Sequence, residues 1–130
     1  MKVQDLKLEP IFAAHPDESI ADAADRMRFY EIGSLAVIEN GSIVGIITER
    51  DIVRATADRS DAQRIPIRFY LTSAPTTVSS DTDVEDAASL MLTLGIRHLP
   101  VVEGVRPIGM VSIRDLLAAE LELTAEAIPR

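Results

Sequence analysis

The chain contains no cysteine and no tryptophan, and only 4% of its 130 residues are aromatic. Without cysteine there are no disulfides, no thiolate metal ligands and no thiol nucleophile. That composition fits a reducing compartment, so a cytoplasmic location is expected. With so few aromatic rings, a stacking platform for single-stranded nucleic acid is not expected. An excess of basic charge is also missing. Lys and Arg total 13 against 21 Asp and Glu, for a net charge of −8, which leaves no electrostatic footprint for nucleic acid or anionic lipid. No apolar run approaches the roughly 18 residues a membrane span requires. The opening Met1-Lys2-Val3-Gln4-Asp5 does not read as a signal peptide. There is no Gly-x-Gly-x-x-Gly, no P-loop and no His-Glu-x-x-His, and the two histidines, His15 and His98, stand in unrelated places, so no catalytic constellation emerges. His15 has no companion ligand at metal spacing; Asp17 and Glu18 beside it read as a helix start. The expectation is a binding module rather than an enzyme, with no metal, no nucleic acid and no membrane.

What is present is a repeat. Hydrophobic residues make up 47% and charged residues 26%, enough for a packed core at this length. Sliding the sequence over itself by 64 residues brings Gly45-Ile46-Ile47-Thr48-Glu49-Arg50-Asp51 onto Gly109-Met110-Val111-Ser112-Ile113-Arg114-Asp115. Over positions 17–51 there are 12 identities in 35 pairs, with no gap. Charge divides evenly too: residues 1–64 carry 8 basic and 12 acidic groups and residues 65–130 carry 5 and 9, so each part holds −4. A duplicated unit follows, with repeats at 1–62 and 63–130.

Each repeat has a readable order. Ile20, Ala23, Ala24 and Met27 fall at i, i+3, i+4 and i+7, one face of a helix, and Val84, Ala87, Ala88 and Met91 repeat that spacing. Ser19 and Asp83 stand at the N-cap positions. Leu35–Ile38 and Ile43–Ile47 read as strands joined by Asn40-Gly41, a hairpin turn signal. In the second copy that turn is replaced by Glu103–Pro107. Thr48 to about Arg59 and Ser112 to about Leu123 read as helices, and short strands near Ile11–Ala13 and Thr76–Val78 precede the first helix of each copy. Ser60–Ile67 reads as a polar connector. The class is α/β (α+β), two β-α-β-β-α repeats expected to pack sheet to sheet about a pseudo-twofold axis with two clefts between them. Ile52, Val53, Leu116, Leu117 and Leu121 are expected on exposed helix faces that support a homodimer.

The repeated Gly-x-x-Thr/Ser-x-x-Asp at the last strand–helix junction, together with Leu99-Pro100-Val101-Val102 on the second strand, resembles the CBS (cystathionine β-synthase) domain. Two copies in tandem resemble a Bateman module, and the likeness spans roughly residues 3–120. The resemblance implies a regulatory module that binds adenosine-containing ligands (AMP, ADP, ATP, S-adenosylmethionine or cyclic dinucleotides) in its clefts. It also implies pairing into a disc of four CBS repeats and signalling to a regulated protein. No catalytic or transport domain is fused, so a stand-alone CBS protein is expected. No cofactor is required on this reading, although magnesium would accompany ATP.

The candidate residues carry two readings each. Thr48 with Asp51, and Ser112 with Asp115, are close to capping boxes that begin helices. The same geometry presents N–H groups and a hydroxyl to an anion, and an Asp one turn in accepts from the two hydroxyls of a ribose. Arg97-His98 stands where the first copy has Gly33-Ser34, so the two clefts should differ. If those cations serve phosphate, the cleft of Ser112 and Asp115 takes the more phosphorylated ligand; otherwise they belong to a solvated turn. By resemblance, Thr72 supplies a further hydroxyl to the cleft of Thr48 and Asp51. Its counterpart in the first copy falls near Lys7, a surface lysine or a phosphate partner. Adenine would rest on Ala36, Ile47, Pro100 and Val111, residues that belong to the core in the first place. Ligand-free dimerisation or partner docking is the competing function.

Overall fold

Period-2 alternation in the strands and 3.6-residue periodicity in the helices produce the elements the repeat foretells. The computed structural model describes residues 1–73 and 76–127. In chain order the first repeat contributes β1 (Ala13–Ala14), α1 (Ile20–Tyr30), β2 (Ser34–Glu39), β3 (Ser42–Thr48), α2 (Glu49–Asp58) and β4 (Thr72–Ser73). The second contributes β5 (Val78–Ser79), α3 (Val84–Leu94), β6 (His98–Glu103), β7 (Arg106–Ser112) and α4 (Ile113–Ala127). One sheet runs β1-β2-β3-β4 and the other β5-β6-β7; in each, a short parallel strand precedes an antiparallel hairpin.

The chain divides into two compact units, Ile11–Pro75 and Met1–Pro10 with Thr76–Arg130. These boundaries differ from a simple division at 62/63, because each unit is completed by a segment from outside its β-α-β-β-α core. The stretch expected as a polar connector, Ser60–Ile67, is part of the Ile11–Pro75 unit. Its Ile67 is fully buried, Ile20 N–H donates to the Ile65 carbonyl (2.9 Å), and β4 joins the edge of β3 with Thr72 opposite Ile46. Residues 1–10 do the same for the other unit. Val3 is fully buried and donates to the Thr82 carbonyl (2.8 Å), while Glu9 and Met110 exchange two backbone hydrogen bonds of 2.9 Å.

Each unit has its own core. Ile20, Ala23, Met27, Leu35, Val37, Ile47, Ala55 and Ile67 form one, and Val3, Val84, Ala87, Met91, Leu99, Val101, Val111 and Leu116 form the other. The helices therefore cover the sheet face that carries Leu35, Val37 and Ile47, and its equivalent carrying Leu99, Val101 and Val111. Leu116, expected on an exposed face, is a fully buried member of the second core, whereas Val53, Leu117 and Leu121 are exposed. Leu116 lies one position before Leu117 on α4, and one residue turns a side chain about 100° around a helix.

Turn and cap chemistry differ between the copies. Asn40 and Gly41 both have positive φ (54° and 78°), as a two-residue type I′ hairpin demands. The second hairpin also closes in two residues, Gly104-Val105, with positive φ only at Gly104. Its strands consequently run further than expected, to Glu103 and from Arg106. Ser19 accepts from Asp22 N–H (3.1 Å) to cap α1, but Asp83 makes no side-chain cap and pairs instead with Lys2 Nζ at 2.8 Å. The α1 helix ends in the left-handed region at Glu31 (φ 56°); the equivalent end of α3 is Gly95 (φ 67°). A side chain in that region carries a steric cost that glycine avoids, so Glu31→Gly is expected to raise stability by about 0.5–1 kcal/mol, read as a higher urea midpoint at unchanged slope.

Candidate functional site

Strand alternation decides which residues share a surface with the strand–helix junctions. Thr48 is paired with Ser34, and Ile46 with Ala36 on one side and Thr72 on the other. Paired residues point to the same side of a sheet. Ser34, Ala36, Ile46, Thr48 and Thr72 therefore share the face turned away from the unit's own helices, on which Ala36 is fully buried, Ser34, Ile46 and Thr48 are half-buried and Thr72 is exposed. In the second unit the same rule places His98 opposite Ser112, Pro100 opposite Met110, and Glu9 beside Met110 on the corresponding face.

Three expectations change with this register. Ile47 and Val111 do not belong to that face. Both lie in the helix-covered cores, so the apolar floor beside Thr48 and Ser112 is made by Ile46 with Ala36 and by Met110 with Pro100. Lys7 is exposed and lies two residues before the pairing position; the residue that corresponds to Thr72 is Glu9. The packing fixes the register independently. A Cβ built on Gly45 would lie 2.5 Å from Leu71, and one on Gly109 would lie 2.8 Å from Leu8, so Leu71 and Leu8 are equivalent and the next residue of each segment faces away from the helices. Third, a carboxylate, not a hydroxyl or an ammonium group, shares the face with His98 and Ser112. The parity of the strand counted back from Thr48 would have identified Ile46 and Met110. The one-residue offset of Glu9 has no comparable signal, because the edge segments are too dissimilar to align.

At the first junction Thr48 and Asp51 form a full capping box. Asp51 N–H donates to Thr48 Oγ1 (3.3 Å), and Asp51 Oδ2 accepts from Thr48 N–H (2.9 Å) and from the Thr48 hydroxyl (3.0 Å). Asp51 Oδ1 faces Arg54 at 3.4 Å, and the residue is only 3% exposed. Glu49 N–H donates to the Gly33 carbonyl (3.1 Å). At the second junction Ile113 N–H donates likewise to the Arg97 carbonyl (2.8 Å), and Asp115 N–H to Ser112 Oγ (3.1 Å). The carboxylate, however, does not close the box: Asp115 Oδ2 is buried without a hydrogen-bond partner among the described residues. Arg97 itself is exposed and His98 half-buried.

Elsewhere polar clusters have structural work. Arg68 bridges Asp17 (2.9 Å) and Glu39 (3.2 Å), and holds the Asp17 carboxyl below its ordinary pKa chiefly through their hydrogen bond. His15 lies beside the same two acids, and its Nδ1 accepts from Asp17 N–H (3.1 Å). No group of three or more metal-ligating side chains occurs among the described residues, and no helix searched there is long and apolar enough to cross a membrane.

The family model for the CBS domain matches residues 3–58 and 67–122, and the chain belongs to that family as a tandem pair. It is 40% identical over 124 residues to an uncharacterised 17.7 kDa protein of Acidianus ambivalens, covering 94% of this chain and 74% of that protein. The fold is shared with the CBS-domain protein PAE2072 of Pyrobaculum aerophilum, solved in complex with AMP (TM-score 0.83, 30% identity, 96% of this chain and 99% of that one). It is shared too with the CBS-domain pair of protein MJ0100, solved with 5′-methylthioadenosine and S-adenosyl-L-methionine (TM-score 0.82, 29% identity, 95% and 98% covered).

Proposed function

We propose that this CBS pair is a regulatory sensor of adenosine-containing ligands of the AMP, ADP and ATP class, acting in the cytoplasm on a separate partner and catalysing no reaction itself. The observation that carries the reading is the duplicated junction. A hydroxyl on the sheet face turned away from the helices, Thr48 or Ser112, stands at a helix N-terminus, with a carboxylate, Asp51 or Asp115, one turn in. The N–H groups of Arg50 and Arg114 have no acceptor among the described residues and suit a phosphate oxygen. The carboxylate suits a ribose diol, and the apolar floor of Ala36 with Ile46 or Pro100 with Met110 suits a base. Thr72, Arg97 and His98 are proposed as side contacts to ligand; Lys7, exposed and off the pairing position, is left with a solvent role. The AMP and S-adenosylmethionine complexes of the two similar structures support the ligand class. Binding would act by favouring one conformation, through the ligand's differential affinity for the two, typically about 1–3 kcal/mol.

Ligand-stripped protein should gain thermal stability with millimolar AMP, ATP or S-adenosylmethionine. No shift with any of them would refute the reading. The alternative, a ligand-free module for dimerisation or partner docking, is favoured by exposed apolar helix residues, Val53 (66% exposed) and Leu121 (70%) among them. A homodimer is proposed on either reading. Val53→Asp with Leu121→Asp should convert it to a monomer by light scattering, and a wild-type monomer at micromolar concentration would contradict it.

A further inference from the structure

All five aromatic residues of the chain, three Phe and two Tyr, fall within the Ile11–Pro75 unit. Three of them gather at the C-terminal end of α1. The Tyr30 ring centroid lies 4.5 Å from that of Phe12 and 5.0 Å from that of Phe29, the second pair meeting edge to face. Phe12 packs half-buried against the unit's core, Tyr30 is 49% exposed, and Phe29 is 80% exposed, more than any other large apolar side chain among the described residues. The fold does not require this ridge. At the 64-residue offset the second repeat has Thr76, Thr93 and Leu94 in place of Phe12, Phe29 and Tyr30, yet α3 forms at the same length as α1. A contiguous row of rings held toward water, in one copy of a unit that folds without it, marks an interaction surface.

The charge beside the rings says what fits it. Asp22, Asp25 and Phe29 follow at i, i+3 and i+7 along one stripe of α1, and with Glu18, Arg26 and Arg28 they line a groove of about 440 Å³. Both guanidinium groups of the groove are already engaged. Arg26 donates to Glu18 (2.6 Å) and to the Ala13 carbonyl (2.7 Å), and Arg28 lies 3.5 Å from Asp25. Asp22 makes no ion pair among the described residues, so the groove holds three carboxylates against two cations. Ring faces are the negative side of an aromatic quadrupole, so rings and unmatched carboxylate both attract a cation. Resting on the reading above that the chain acts on a separate protein, we infer that this ridge docks an arginine-bearing segment of that protein. A planar guanidinium stacks on the exposed Phe29 and pairs with Asp22 along the same stripe, and its aliphatic stem covers the ring edge. Phe12 anchors Tyr30 and Tyr30 flanks Phe29, so the rings are ordered before the segment arrives and little side-chain entropy is lost. An uncharged apolar segment would take Asp22 out of water with no partner in return.

The test is amide chemical-shift mapping of the full wild-type chain with two synthetic peptides of equal length, one with arginines set among leucine and alanine, the other with glutamine in place of each arginine. The arginine peptide is expected to shift residue 12 and residues 22–30, and the glutamine peptide to bind about tenfold more weakly. Phe29→Ala and Asp22→Asn should each weaken the arginine peptide about fivefold, whereas Asp86→Asn, the same charge change at the equivalent place on α3, should leave it within about twofold. Asp86 thus separates the ridge from the general attraction of a chain of net charge −8. Shifts spread over other acidic surfaces, equal binding of the glutamine peptide, or no shifts at all would overturn the inference. So would dissociation of the homodimer by Phe29→Asp, which would assign the ridge to a second copy of the chain. None of these outcomes bears on the adenosine-ligand reading, which the thermal shift decides separately.

Discussion

Gly45→Ala is expected to destabilise the protein by about 2–3 kcal/mol, the range of overpacking in a closed core. The added methyl would lie 2.5 Å from Leu71 Cδ1 and 2.6 Å from the Thr72 carbonyl oxygen. The leucine can change rotamer, but the carbonyl belongs to β4 and moves only if the strand leaves β3. The equivalent Gly109→Ala should cost somewhat less, about 1–2 kcal/mol, because the nearest backbone atom, the Glu9 oxygen, lies at 3.2 Å and not 2.6 Å, although Leu8 Cβ at 2.8 Å yields only with its own backbone. Chemical denaturation of the two variants measures the order. Equal losses, or a larger loss at Gly109, would show that β4 yields more readily than the segment holding Glu9.

Asp51→Ala should lose about 2 kcal/mol, whereas Asp115→Ala should change stability by no more than about 0.5 kcal/mol in the absence of ligand. The first substitution strips the Thr48 N–H and hydroxyl of their acceptor in a nearly buried place. The second removes a buried oxygen that has no partner to lose, and the backbone N–H of residue 115 still reaches Ser112. Thermal unfolding of both variants without ligand decides the matter. A large loss at Asp115 would mean that its carboxylate is satisfied in solution. Asp51 and Asp115 align in the repeat, so equivalent sequence positions are here expected to give clearly unequal losses.

Those aspartates also show what the sequence reveals and what it withholds. Twelve identities at a constant offset made the two-unit architecture legible, since a duplicated pattern of apolar spacing and turn residues repeats its structure. The junctions themselves were legible because the capping and ligand readings demand the same residues. Ile47 and Val111 lie in the cores and not beside Thr48 and Ser112, and the apolar run at the centre of each strand (Ile43–Ile47, Ile108–Val111) does not by itself say which parity faces the helices. Lys7 falls outside the pairing position for a different reason: the pairing of residues 1–10 is long-range, and Glu9 stands one residue nearer to its repeat than Thr72 does to the second, so the 64-residue offset does not carry over to this segment. Ala118 stands at the position equivalent to Arg54, so the cation beside Asp51 has no counterpart at that position beside Asp115.

The exchange of edge segments bears on how the chain is made. Residues 11–75 form a unit whose contacts are all available once the first repeat has left the ribosome. Residues 1–10 are synthesised before that unit, yet Glu9 pairs with Met110, 101 positions later, so they wait until the second hairpin has been made. Such distant pairing is slow because the loop it closes must be ordered first. The unit holding Asp115 should therefore be the last to mature, and a fusion placed on the N-terminus would burden that unit and spare the one nearer to it in sequence.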